Sequence, residues 1–144
     1  MTREEFDLFL QNEVEIKNWK GTKIDSSYFF SFEEGWFALT AQLIKDCLAA
    51  GWDGDLHQSK EKFGGLRFYI GSGSEEIWKI IQKAEGESYG TCEMCGTTEQ
   101  IGHTRGWIST FCKPCAEKVY AEKNIMTATL EDWWKPKETP HVYD

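Results

Sequence analysis

The chain is short of the features that most often announce an activity. It has three histidines and three prolines in 144 residues. No G-x-S-x-G elbow, Walker loop or H-E-x-x-H helix is present, which removes the usual signatures of serine hydrolases, phosphate-binding loops and zinc proteases. No apolar run approaches the ~20 residues that a bilayer-spanning helix needs. Basic residues are scarce. Lysine and arginine total 16 against 24 acidic residues, for a formal charge of -8. Acidic residues outnumber basic ones on both sides of residue 90, and neither side carries a basic block. Nucleic-acid binding normally leaves a cationic footprint, so generic DNA binding is not expected. No cleavable leader is visible at the start, Met1 to Phe6, so a cytoplasmic setting is expected.

Aromatic side chains, by contrast, are plentiful. Nine Phe and seven Trp contribute to an aromatic content of 15%, and hydrophobic residues make up 40%. That composition suits a packed core and argues against a disordered chain. The length fits one α+β body with a small appendage.

The most specific pattern is Cys92-x-x-Cys95 followed by Cys112-x-x-Cys115, with sixteen residues between the pairs. Each C-x-x-C turn places two thiolates on one side of a metal, and a hairpin can return the second turn to complete a tetrahedron. Gly96 follows the first pair, where a tight turn needs positive φ. Between the pairs, Gln100 to Phe111 reads as a β-hairpin. Pro114 then opens a helix-forming run, as proline does in a first helical turn. Knuckle, hairpin and a helix bearing the second pair are the order of a treble-clef or zinc-ribbon-like module. Four cysteines close the shell, so one structural Zn2+ is expected, not a catalytic ion with an open position. Disulfides fit poorly with a reducing compartment. A thioredoxin-like reading of Cys112-x-x-Cys115 leaves the first pair unexplained. His103 could replace a cysteine as a ligand, but a lone hairpin histidine reads as a surface side chain. Zinc with four thiolates would bring the formal charge to about -10.

The rest of the chain reads as a helix–hairpin–helix body over residues 1–89, with the zinc module at 90–125 and a tail at 126–144. Thr2 to Glu5 forms a capping-box signature, followed by Phe6, Phe9, Leu10 and Val14 at helical spacing. Ser31 to Glu34 repeats the signature. Trp36, Leu39, Leu43, Ile44, Cys47 and Leu48 then mark one face of a helix that Gly51 stops. Cys47 on that stripe reads as a small core hydrophobe. Residues 53–70 read as a hairpin turning at Gly64-Gly65. Its first strand is polar and suggests an edge. In its second strand Leu66, Phe68 and Ile70 alternate with an outward Arg67 and Tyr69. Ser72 or Ser74 caps a helix striped by Ile77, Ile80, Ile81 and Ala84, and Gly86 to Gly90 form the joint to the zinc module.

No catalytic residues are assigned. Gly71-Ser-Gly-Ser74 lacks the spacing of a phosphate cradle. Glu33-Glu34 and Glu75-Glu76 stand at helix N-termini, where carboxylates complement the dipole. In the tail, adjacent Trp133 and Trp134 are candidate partner contacts: one ring can dock on the body, or serve as an exposed anchor.

The run Lys60-Glu-Lys-Phe-Gly-Gly-Leu-Arg-Phe-Tyr69, then Cys92-x-x-Cys95-Gly96, then Gly106-Trp-Ile-Ser-Thr-Phe-Cys112-x-x-Cys115-Ala116, resembles a family of small, largely uncharacterised zinc-ribbon proteins of bacteria and phages. The resemblance spans roughly residues 36–116. Many such proteins have Thr where this chain has Gly65, a departure expected to loosen the turn. The resemblance implies the zinc site and a mobile-element setting in a bacterial or phage-infected cell. It carries no activity. Three functions compete. The first is an acidic protein-binding module that inhibits a host defence enzyme or acts as an immunity protein, its partner carrying a basic surface. The second is a nucleic-acid- or transcription-associated zinc finger. The third is an enzyme with a purely structural zinc.

Overall fold

A computed structural model describes residues 1–18, 29–104 and 108–123. Helix α1 spans Arg3–Asn12. Its capping box is complete: the Thr2 hydroxyl accepts from the Glu5 N–H at 3.1 Å, and the Glu5 carboxylate accepts from the Thr2 N–H at 2.9 Å. The buried face carries Phe6, Phe9 and Leu10. Phe6 stacks on Phe37 with ring centroids 4.7 Å apart and meets Phe30 edge-on at 5.0 Å. These rings seed the main core, each fully buried aromatic contributing roughly 1.5–3 kcal/mol.

Strand β1 is short, Phe30–Ser31, and a 3-10 turn follows at Glu34–Trp36. The second capping box therefore does not form. Ser31 is spent in the strand, and the N-cap residue Glu33 makes no side-chain cap bond. Glu93 does this work from a distance. Its carboxylate accepts the Glu33 N–H at 3.1 Å, and its carbonyl accepts the Gly35 N–H at 2.8 Å. Helix α2 then runs Phe37–Ala49. It ends in a Schellman pair, with Trp52 N–H bonded to Cys47 O and Gly51 N–H to Leu48 O. Cys47 is fully buried on the inner stripe, as its spacing indicates.

Strands β2, Leu56–Lys62, and β3, Gly65–Ile70, pair antiparallel. The polar β2 is central and not an edge, because β1 pairs with it in parallel on the other side. Lys17 also brackets the start of β2: its N–H reaches Gly54 O, and its carbonyl accepts from Leu56 N–H. The turn is Phe63-Gly64, both at positive φ (54° and 82°), and Gly65 already belongs to the strand. Gly65 does not loosen the turn. A Cβ there would lie 2.3 Å from the Tyr89 ring, so the missing side chain makes room for Tyr89.

The expected alternation in β3 also fails at Arg67, which is buried at 2% exposure and donates to the Tyr89 hydroxyl at 3.1 Å. Helix α3, Glu75–Ser88, covers this strand. Its side chains close the β3 backbone: Leu66 N–H donates to Ser88 Oγ and Phe68 N–H to the Glu85 carboxylate. Ser74 caps α3, and Glu75 and Glu76 sit in its first turn. The helix continues through Gly86, so the joint to the cysteine module is shorter than the glycines suggest. Strands β4, Ile101–His103, and β5, Thr110–Cys112, form a separate antiparallel pair, and α4 follows at Lys113–Lys123. Among the described residues the architecture is thus mixed α+β, with two small sheets and a four-cysteine cluster.

Candidate metal centre

Cys92 and Cys95 lie on a knuckle that folds back on itself. Gly96 N–H bonds to Cys92 O and Cys92 N–H to Thr97 O, both at 2.9 Å. Gly96 has the positive φ that such a turn requires, 84°. Cys112 ends β5, and Cys115 lies in the first turn of α4. The second pair therefore straddles a strand–helix junction, where a pure helical placement was expected. Lys113 N–H donates to Gln100 O and pins the junction against the start of the hairpin.

This arrangement gathers all four sulfurs within 4.8 Å of one another. The Cys95 and Cys112 sulfurs are 3.7 Å apart. A tetrahedron with ~2.3 Å metal–sulfur bonds has edges of about 3.8 Å, whereas a disulfide closes to about 2.05 Å. All four are free thiols spaced for an ion. Among the described residues no other group of three or more potential ligands comes as close.

The thiol electrostatics point the same way. Burial pushes the Cys112 and Cys115 thiols above the usual value. Burial also opposes ionisation of Cys95, but the Thr97 N–H and the neighbouring thiols outweigh it and bring Cys95 below the usual value. Cys112 and Cys115 thus resist ionisation more than Cys95 does. Four thiolates in this volume require a cation among them, and a soft or borderline ion suits the donors.

The cluster has its own small core, Cys92, Phe111, Cys112 and Ala116, with Ile101 and Val119 packed against it. It is also fastened to the body. Trp36 Nε1–H donates to Thr91 O at 2.9 Å, Gly35 N–H to Glu93 O at 2.8 Å, and the Thr110 hydroxyl to Gly64 O at 2.6 Å.

Two residues here escaped the sequence reading. Glu93, between the cysteines, is 8% exposed. Burial first, then the nearby Glu61 and Glu33 charges, push its carboxyl up to about 7, against the Glu33 N–H that favours the anion. In sequence it is a polar residue in a turn, and nothing in the spacing marks it. His103 is not on the surface. It is buried at 4%, with Nε2 3.1 Å from Tyr89 O, to which it must donate because a carbonyl only accepts. It takes no place in the sulfur cluster.

Elsewhere, a groove of about 410 Å3 between α2 and α3 is lined by Leu39, Leu43, Ile80 and Ala84 with Asp46 and Glu87. No described helix is long and apolar enough to cross a membrane. Trp133 and Trp134 lie outside the described residues. No protein-family model matches the chain, and no curated protein or solved structure is significantly similar to it.

Proposed function

We propose that the chain is a small acidic protein-binding module held in shape by one structural zinc ion, and that it is not an enzyme. The observation that carries this reading is the way the cysteine cluster is built in. Four thiolates fill a tetrahedral shell and leave no position for substrate or water. The knuckle that holds two of them, with Thr91 just before it, is bonded to Gly35 and Trp36 and ties the small cysteine core to the main core. A metal in such a place stabilises a shape, and the function falls to the surface that the shape presents. When bound, zinc would neutralise the thiolates and cross-link the two C-x-x-C turns. Cys92, Cys95, Cys112 and Cys115 would hold it in a treble-clef-like module.

The surface is acidic, with a formal charge of -8 before metal binding. Charge complementarity favours a partner with a basic face, such as a nuclease, over duplex DNA. An inhibitor of a host defence enzyme or an immunity-type protein fits both this charge and the resemblance to small bacterial and phage zinc proteins. A cytoplasmic location fits free thiols awaiting zinc.

Affinity capture with the tagged, zinc-loaded protein from the cells that express it, followed by assay of the captured protein with and without this chain, tests the reading. The expected result is a basic protein whose activity falls on binding. Capture of nucleic acid alone, surviving nuclease-free high-salt washing, would sink it.

A further inference from the structure

We infer that the tip of the β2–β3 hairpin, together with the adjoining cysteine knuckle, is the surface that receives a basic segment of a protein partner. This rests on the protein-binding reading above and adds the place and the chemistry of contact. Phe63 is the central observation. Its side chain is 56% exposed, and its φ of 54° lies in the left-handed region. Bulky residues avoid that region, and two-residue hairpin turns of this hand are ordinarily Asn-Gly or Asp-Gly. Folding therefore disfavours phenylalanine here twice, through backbone strain and through apolar surface left in water. Within the chain, the ring meets the Lys62 ammonium, 5.6 Å from its centroid. Exposed contacts of that kind are weak. Phe63 is better explained by something outside the fold.

Its surroundings indicate what that is. Thr110 joins the tip to the knuckle, donating its hydroxyl to Gly64 O at 2.6 Å and accepting from Glu93 N–H at 3.1 Å. One residue beyond this bridge on either side stand two exposed apolar side chains, Phe63 and Met94. Carboxylates lie among them. Glu61 accepts the Gly64 N–H at 2.7 Å, and the Glu93 carboxylate accepts the Glu33 N–H at 3.1 Å, which brings Glu33 beside it. An aromatic face, an adaptable methionine and clustered carboxylates suit a segment that alternates Arg or Lys with apolar residues. The partner's cation would take the place of Lys62 over the Phe63 ring. The same tip belongs to the Lys60–Tyr69 run, whose distinctiveness the zinc site does not explain.

The test uses the full-length, zinc-loaded protein and a displayed library of random dodecapeptides. The expected binders carry Arg or Lys beside Leu, Met or an aromatic, and they weaken as salt rises. Their affinity for Phe63→Gly should fall about tenfold, the usual scale for loss of an aromatic anchor. The Met94 methyl resonance should shift on binding. Glycine tolerates the local φ, so Phe63→Gly should melt no lower than the parent protein. Phe63→Asn, which also tolerates that region, is a second variant and should lose affinity similarly. Basic–apolar peptides that bind both variants at full strength, with Met94 unmoved, would overturn this surface and leave the protein-binding reading standing. Selection that yields only acidic or neutral peptides, or none, would overturn both.

Discussion

Gly35 and Cys92 touch so closely that a Cβ on residue 35 would lie 2.2 Å from the Cys92 carbonyl oxygen and 2.4 Å from that of Glu93. Both are backbone atoms and cannot swing aside. The body and the metal knuckle are thus joined at a point where only glycine fits. Gly35→Ala should cost about 3 kcal/mol or more, in the range of overpacked core sites. It should also slow metal uptake, because the same contact sets the position of Cys92. Thermal melting and zinc titration check both effects. An alanine variant that melts with the parent would show that the knuckle is free to shift.

The purified protein should hold one zinc per chain, because four sulfurs spaced for a tetrahedron saturate one ion. Cys112→Ser should lose the metal and melt the module, since the metal's binding energy is folding energy for such a site. Thiol titration gives a second readout. With zinc bound, no cysteine should react quickly. Chelation should expose four, and unfolding should expose the fifth, Cys47. Elemental analysis finding no zinc in protein prepared without chelator would refute the assignment.

The four-cysteine cluster was legible in sequence because thiolate spacing is a local constraint: two C-x-x-C turns joined by a hairpin bring their sulfurs together almost regardless of what surrounds them. Helices α1 and α2 were legible for the same reason, through a capping box and a 3.6-residue stripe. The misreadings share a cause in long-range contacts. Ser31 did not cap a helix because Glu93, some sixty residues on, satisfies those N–H groups. Strand β2 reads as an edge in sequence because its parallel partner β1 is two residues long. Arg67 reads as outward because alternation assumes one wet face, whereas Arg67 is buried against Tyr89. Gly65 was read as a turn residue when it is a space left for the Tyr89 ring. None of these pairings has a local signature.

Cys47 should make stability depend on alkaline pH. Burial first, then the Asp46 charge, push its thiol up to about 12 from an ordinary value of 9.0. The folded chain therefore holds this proton more tightly than the unfolded chain. The contribution to stability is intact below pH 9 and is lost as pH rises from 9 towards 12. At pH 10, one unit past the unfolded value, the loss is on the order of 1 kcal/mol. Cys47→Ala should show a shallower decline than the parent between pH 8 and 10 in chemical denaturation, and should retain its zinc. Equal slopes would mean that the thiol ionises in place.

Gly86 offers a contrast among the glycines of the chain. It sits inside α3, where a Cβ would meet nothing within 4 Å. Glycine in a helix interior costs about 0.8–1.0 kcal/mol relative to alanine, through backbone entropy retained in the unfolded chain. Gly86→Ala should therefore raise stability by up to about 1 kcal/mol. Gly65→Ala should lower it, because its Cβ would meet the Tyr89 ring at 2.3 Å and disturb the hydroxyl that accepts from Arg67. That second loss is limited by how far the phenol can swing, so about 1–3 kcal/mol is expected, the range for overpacking. Denaturant midpoints for the two variants, measured side by side at constant m-value, decide the matter. A destabilised Gly86→Ala would mean that the last turn of α3 needs the freedom of glycine, and that the helix does end near residue 86 in solution.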